Sequence, residues 1–487
     1  MKNIQTGLDN TALWIKKNEG ILLLVLIACH GLLLFFIHGY LRIDNDNPPY
    51  TDPAINYLLG RGFSSTCWYT QGEHAFWAGN VPLHQFLLIP WLKIFGLSFP
   101  AVIGINFVYV AAGMVLLWAA LERSGFIQGA EWRLGAITFF LYTDCAYCLL
   151  TSGRYDQLSF LLVGIGAFLF TIPDAVLRLT GLVVVAAILP WAHLATALFS
   201  GILGVLLLLF YTKTFRKEVL CLSLGGVIGG LSLCAFYHHL GVWNEFLASI
   251  APHMGSINKP HWTRGGLDAV DLPFLGCATV FLLMYRLCKR DECRFLWFVT
   301  VFVIAVPAIF LATGVFTTNY AWYLLLPLIF FLAAQLAKKM AGSKVSLPVV
   351  VVIVILGLMV PGGFLRKTIK NRLLVQRAGD PTQRVKEFAD RVFRPGDVVW
   401  VSQILYYEAK KRNLKVFSGA VVFPNVKLAP YPGEEKDLEA VTIYIWGDVI
   451  GDSNRLNELP GQWACTGEKM SAMGVDFFVY RRAPPPQ

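Results

Sequence analysis

Gly20-Ile-Leu-Leu-Leu-Val-Leu-Ile-Ala-Cys-His-Gly-Leu-Leu-Leu-Phe-Phe-Ile-His-Gly-Tyr-Leu41 runs directly into Arg42-Ile-Asp44-Asn-Asp46-Asn-Pro-Pro-Tyr50-Thr-Asp52-Pro53. The first part contains no acid, lysine or arginine and has the ~20 residues a helix needs to cross a bilayer. The second part sets three carboxylates, Asp44, Asp46 and Asp52, at the mouth of that helix. A long loop, residues 40–99, rich in Trp, Tyr and His, separates it from the next long apolar run. Acids gathered at a membrane surface under an aromatic loop suit chemistry on a polar group carried by a lipid.

The rest of the chain repeats the first part. Of 487 residues, 56% are hydrophobic and 15% are charged, where a soluble chain carries about a quarter charged. Apolar runs recur near 20–39, 100–120, 134–151, 157–172, 179–192, 194–211, 219–237, 270–287, 295–314, 321–337 and 346–362. The expected fold is a polytopic α-helical membrane protein of about eleven spans over residues 1–364. Residues 16–20 read Lys-Lys-Asn-Glu-Gly, no small-residue cleavage site follows the first run, and it is expected to be a retained anchor. The net charge of +10 does not indicate nucleic acid, because the basic residues sit in short loops between spans and not in one stripe. Anionic membrane lipids are their natural partner.

Lysine and arginine also set the orientation. With the N-terminus in the cytoplasm, that side gathers Lys16, Lys17, Arg123, Arg133, Arg178, Lys213, Arg216, Lys217, Lys289, Arg290, Lys338 and Lys339. The opposite short loops hold only Arg154, Lys259 and Arg264. The positive-inside bias therefore places the 40–99 loop outside.

Residues 365–487 change character. The segment from Pro381 has helical spacing. Asp397-Val-Val-Trp-Val, Lys415-Val-Phe, Val441-Thr-Ile-Tyr-Ile-Trp and Val475-Asp-Phe-Phe-Val-Tyr read as strands, with a helix from Tyr406 to Arg412. A small soluble α/β domain on the outer side is expected, with no phosphate-binding glycine loop.

Within the long loop, Asp52 and Pro53 read as the cap and first turn of a short helix that Gly60 ends. Pro48-Pro49 would then hold Asp44 and Asp46 in a stiff, non-helical segment. Such an acid suits a general base; the plain reading is a solvated loop acid. Residues 82–95 read as a helix lying on the membrane. Asp156, in Ser152-Gly-Arg-Tyr-Asp, opens a span and reads either as its cap or as a second acid across a site. Asp144 lies inside a predicted span, where an ionisable group is costly. Of nine histidines, eight (His38, His74, His84, His193, His238, His239, His253, His261) map to the outer ends of spans or to outer loops. That crowding suggests a polar cavity on this face. No His-x-x-His spacing is present and a divalent metal is left open. Arg154, Lys259 and Arg264 can pair with a lipid phosphate or stay solvated. Tyr320, Trp322 and Tyr323 form either an interfacial aromatic belt or a sugar platform. Cys67 and Cys465, both expected outside, are candidates for a disulfide.

Together these segments resemble the GT-C superfamily of membrane glycosyltransferases. That superfamily includes the protein O-mannosyltransferases, the lipid A aminoarabinose transferases and the dolichyl-phosphate-mannose–protein mannosyltransferase family. The resemblance rests on Asp44-Asn-Asp46 after the first span, Asp52-Pro-Ala-Ile-Asn-Tyr-Leu-Leu-Gly-Arg-Gly-Phe, Val81-Pro-Leu-His84, Gly153-Arg-Tyr-Asp156 and Tyr320-Ala-Trp-Tyr323 in that order. It implies a monosaccharide donor carried on polyprenyl phosphate, used on the outer face with inversion. Asp46 would be the base, with Asp44 as the alternative, and Asp156 would position donor or acceptor. Arg154, Lys259, Arg264, His84, Tyr320 and Tyr323 would hold the lipid phosphate and substrate. The acceptor would be a glycan, lipid or protein, and the location a bacterial inner membrane. The competing readings are a lipid-linked glycan polymerase or ligase and a lipid-linked sugar transporter.

Overall fold

The computed structural model describes residues 2–38, 47–68, 75–143, 149, 153–255, 293–312, 322–341, 346–358, 369, 372–373, 381–418, 434–447, 456, 459–472 and 475–483. Asp44, Asp46, Asp144, Lys259, Arg264 and Tyr320 lie outside the described residues, as does the predicted span at 270–287.

The first three quarters of the chain is helical. In order come α1 (Lys2–Leu32), continued by a π-helical turn (Leu33–His38), then α2 (Asn47–Leu58), α3 (Leu83–Phe95), α4 (Phe99–Ser124), α5 (Ala130–Leu141) and α6 (Asp156–Leu169). They are followed by α7 (Ala175–Ala192), α8 (Leu194–His239), α9 (Trp243–Gly255), α10 (Cys293–Ala312), α11 (Trp322–Lys339) and α12 (Ser346–Leu358). Among the described residues, five helical segments (Asn10–Phe35, α4, α7, α8 and α11) are long and apolar enough to cross a membrane. These apolar helices make the chain an integral membrane protein.

Most helix ends fall where the residues dictate. Ser98 caps α4 by accepting from the Ala101 N–H at 3.3 Å, and Gly125, at φ 63°, ends it in the left-handed conformation. Asp174 caps α7 through the Leu177 N–H at 2.7 Å. The two spans predicted at 194–211 and 219–237 are two helices that meet at a kink at Tyr211 within α8, where the backbone leaves helical values. They fold back on each other, for a side chain at Gly204 would meet Val219 at 3.4 Å. The basic segment Lys213 to Lys217 lies just past that kink, in the first turns of the second helix, with no glycine or proline among its residues.

Neighbouring helices close up through glycines. A side chain at Gly225 or Gly229 of α8 would meet the Val183 or Ala187 carbonyl of α7 at 2.2 or 2.1 Å. One at Gly164 of α6 would meet the Gly113 carbonyl of α4 at 2.8 Å. Close approach through small residues is the usual way to bind helices where apolar burial gives no driving force. At the opposite end from Asp156, Glu19 accepts from Trp118 at 2.8 Å and from the Arg133 Nε at 2.7 Å, tying together α1, α4 and α5. A cavity of about 70 Å³ lies between α5, α11 and α12, lined by Trp132, Phe139, Ile329 and Val350 among others.

The C-terminal residues form α13 (Pro381–Val392), β1 (Val398–Val401), α14 (Gln403–Lys411), β2 (Lys415–Ser418), α15 (Glu434–Ala440), β3 (Ile443–Gly447), β4 (Trp463–Ala472) and β5 (Val475–Arg482). The sheet order is β2-β1-β3-β5-β4, parallel across β2, β1 and β3 and antiparallel across β3, β5 and β4. The α14 crossover is what lets β1 and β2 run parallel. Strand β4 has no counterpart in the sequence reading. A bulge between Cys465 and Lys469, with Gly467 at φ 77°, breaks its alternation.

Helix α2 starts six residues earlier than the sequence suggests, at Asn47 and not at Pro53. Pro48 and Pro49 occupy the first turn of α2, where their missing N–H groups cost nothing; Asp44 and Asp46, which they were expected to stiffen, lie outside the described residues. Asp52 is consequently in mid-helix and caps nothing. Gly60 does follow the helix end, at φ 76°. Cys67 and Cys465 are both free thiols, so no disulfide joins them; Cys67 is buried and Cys465 exposed.

Candidate active site

The described part of the site forms where the first turns of α2, α3 and α6 meet the α7–α8 junction. Asp156 is the first residue of α6, and Tyr155 precedes it without a side-chain capping bond. The carboxylate is 3% exposed and makes two contacts from opposite sides. Arg154 Nε donates to Oδ2 at 2.9 Å, and the His193 ring meets Oδ1 at 3.0 Å. The sequence left Asp156 open between a cap and a site acid; its side chain caps nothing.

His193 is the single residue between α7 and α8. Its Nδ1 accepts from the Thr196 N–H at 3.2 Å and so caps α8. That bond fixes the tautomer: Nε2 carries the proton and donates to Asp156. One imidazole therefore starts a membrane helix and orients a buried acid. The Thr196 hydroxyl pairs with the Tyr323 hydroxyl at 2.5 Å, which places Tyr323, fully buried at the start of α11, one layer behind His193.

Arg154 is positioned from three sides. Its guanidinium lies 5.4 Å from the centre of the Tyr50 ring of α2, and its carbonyl accepts from Asn106 of α4 at 3.2 Å. The Tyr155 ring lies tilted against His193, centroids 4.6 Å apart, and its hydroxyl accepts from Asn80 Nδ2 at 2.8 Å. The Asn80 carbonyl in turn accepts from the Tyr237 hydroxyl at 2.5 Å. A wall of rings (Tyr50, Phe63, Trp68, Trp77, Tyr237 and Phe246) surrounds this network.

His84, in the first turn of α3, is fully buried and 6.1 Å from the Tyr109 ring. Burial lowers its pKa to about 4, against the opposing pull of the Asp156 charge, so the imidazole is neutral at pH 7. Both of its ring nitrogens and the Tyr109 hydroxyl are buried with no hydrogen-bond partner among the described residues. His238 and His239, predicted on the same face, are exposed at the end of α8.

The sequence reading named Asp156, Arg154, His84 and Tyr323, and the first three lie together with Tyr323 one layer behind. It passed over Tyr50, Asn80, Asn106 and Tyr155, and it counted His193 only as one of many outer histidines. Pro190-Trp-Ala-His193 at the join of two apolar runs was the one available signal for His193. No group of three His, Cys, Asp or Glu side chains able to hold a metal occurs among the described residues.

A helical membrane body carries a small C-terminal sheet, and an acid opens a helix beside the long loop after the first span, as the sequence led one to expect. The chain shares this fold with ArnT from Cupriavidus metallidurans. The structure of that protein bound to undecaprenyl phosphate aligns with a TM-score of 0.60 at 14% identity, covering 95% of this chain and 99% of that one. The apo-state structure of the same protein aligns with a TM-score of 0.52 at the same identity and coverage. No family model matches the sequence, and no curated protein matches it.

Proposed function

We propose that the protein transfers a monosaccharide from a polyprenyl-phosphate carrier to an acceptor hydroxyl on a glycan, lipid or protein at the outer face of the membrane. The observation that carries this reading is the buried Arg154–Asp156–His193 set, beside polar atoms of His84 and Tyr109 with no partner among the described residues, in a fold shared with a protein bound to undecaprenyl phosphate.

In this reaction the acceptor oxygen attacks C1 of the donor sugar and a carboxylate takes the acceptor proton. The C1–O bond to phosphate breaks with inversion, and polyprenyl phosphate leaves with the bonding electrons. Asp46, or Asp44 two residues before it, is the proposed base. Arg154 supplies positive charge for the phosphate while its Nε stays on Asp156. Lys259, Arg264 and Tyr320 are proposed to complete the phosphate site. Asp156, oriented by His193, accepts hydrogen bonds from sugar or acceptor hydroxyls. His84, being neutral, offers a hydrogen bond and not a charge. Tyr323 supports this layer through Thr196.

Two experiments test the proposal. Mass spectrometry of envelope glycans and lipids from cells with and without the gene should show a sugar-bearing species that disappears with the gene; identical profiles count against transfer. Asp46→Asn should abolish that species at unchanged membrane levels of the protein, and full product from this variant removes Asp46 as the base. Arg264→Ala should weaken undecaprenyl phosphate binding to the purified protein.

A further inference from the structure

Asp52 carries the densest polar contacts among the described residues, and the proposed chemistry does not use it. It is fully buried in the middle of α2. Lys410 of α14, also fully buried, places Nζ 2.6 Å from Oδ1, and the Tyr406 hydroxyl donates to the same oxygen at 2.6 Å. Oδ2 accepts from Ser65 Oγ at 2.9 Å, the Thr66 N–H at 2.9 Å and Asn56 Nδ2 at 3.2 Å. Lys410 donates as well to Asn56 Oδ1 at 2.6 Å. Burial and the Asp52 charge push the Tyr406 hydroxyl well above the usual tyrosine range, so it remains a donor.

The contact extends on either side. Arg61 donates to the carbonyls of Leu414 and Asn413 at 2.9 and 2.6 Å, and Thr66 Oγ1 donates to the Val416 carbonyl. The C-terminal sheet and the loop after the first span are thus joined through one buried ion pair and a fringe of backbone acceptors.

Stability alone does not call for such a pair. Desolvating two charges offsets most of their attraction, and apolar residues of similar volume do as well or better. Four donors from outside α2, those of Lys410, Tyr406, Ser65 and the Thr66 N–H, instead fix how α2 is turned about its own axis. That rotation matters at the site: Tyr50, two residues before Asp52, faces the Arg154 guanidinium at 5.4 Å, and its carbonyl accepts from Gln85 of α3 at 3.2 Å. Asp46 immediately precedes α2 in the chain.

We infer that Lys410 is a positioning residue: through Asp52, α14 of the C-terminal domain holds α2 in the register that sets Tyr50 on Arg154. The inference rests on the transfer reading above for its effect on product, but not for its effect on α2.

Lys410→Met tests it in the full-length protein in detergent. Amide hydrogen exchange across residues 50–58 should accelerate at least tenfold, while β1, β3 and β5 keep wild-type protection. The envelope product in cells should fall at least tenfold at equal protein level, and Lys410→Arg should restore most of it. Unchanged exchange in α2 overturns the inference, and so does a loosened α2 with full product. If Lys410→Met also unfolds the sheet, Tyr406→Phe, which removes one hydrogen bond to Asp52, is read in the same way and should loosen α2 about threefold; no loosening overturns the inference. Should the wild-type protein make no product, the transfer reading fails, while the exchange measurement still decides whether Lys410 holds α2.

Discussion

At the scale of single residues, His193 and His84 show how burial assigns different work to the same side chain. His193 both caps α8 and donates to Asp156, and two substitutions separate these duties. His193→Ala should lower stability by about 1 kcal/mol through the lost cap and also abolish transfer. His193→Asn should recover the cap but not the activity, as read by thermal unfolding in detergent beside a product assay. His84 makes a pH prediction. Its folded pKa near 4 lies below the ordinary 6.5, so the unfolded chain binds the proton more readily. The neutral ring's contribution is whole above pH 6.5 and is lost as pH falls toward 4, a drop of about 3 kcal/mol. Unfolding midpoints should therefore fall between pH 6.5 and 4 less steeply for His84→Gln than for wild type. Parallel curves would show that His84 is charged or solvated in the folded protein.

At the scale of elements, the α7–α8 pair depends on backbone contact. Because any side chain at Gly229 would enter the Ala187 carbonyl, Gly229→Ala should force the helices apart at a cost of about 1–3 kcal/mol. It should also disturb Asp156, since His193 is the hinge of that pair. Gly226→Ala, three residues away and facing open space, is the control and should unfold no earlier than wild type. Equal unfolding of the two variants would mean that the helices do not pack through Gly229. Several elements were legible in the chain: the apolar runs and four of the five strands of the C-terminal sheet follow from local pattern. The start of α2 was not. Pro48-Pro49 fits a stiff loop and a first helical turn equally well, and only the burial of Asp52 against Lys410 selects the helix.

At the scale of the whole molecule, two buried ion pairs tie distant segments. Lys410–Asp52 joins the sheet to α2, and Glu19–Arg133 joins α1 to α5 at the opposite end of the helices from Asp156. Arg133→Met leaves Glu19, 4% exposed, with a charge and no cation, and should cost about 3–5 kcal/mol. Adding Glu19→Gln should return most of that, measured as a double-mutant cycle on thermal unfolding; additive losses would refute the pairing. The amino-acid sequence by itself determined that this is a helical membrane protein with a C-terminal sheet, and it marked Asp156, Arg154 and His84 as residues worth watching. Those properties follow from local composition and period, which a chain carries without folding. Only the tertiary structure decided that Asp156 meets His193, that Tyr50 faces Arg154 and that Asp52 is held by a lysine more than three hundred residues away. Contacts at such separation depend on how helices cross and which glycines let them close, and no short window of sequence contains that information.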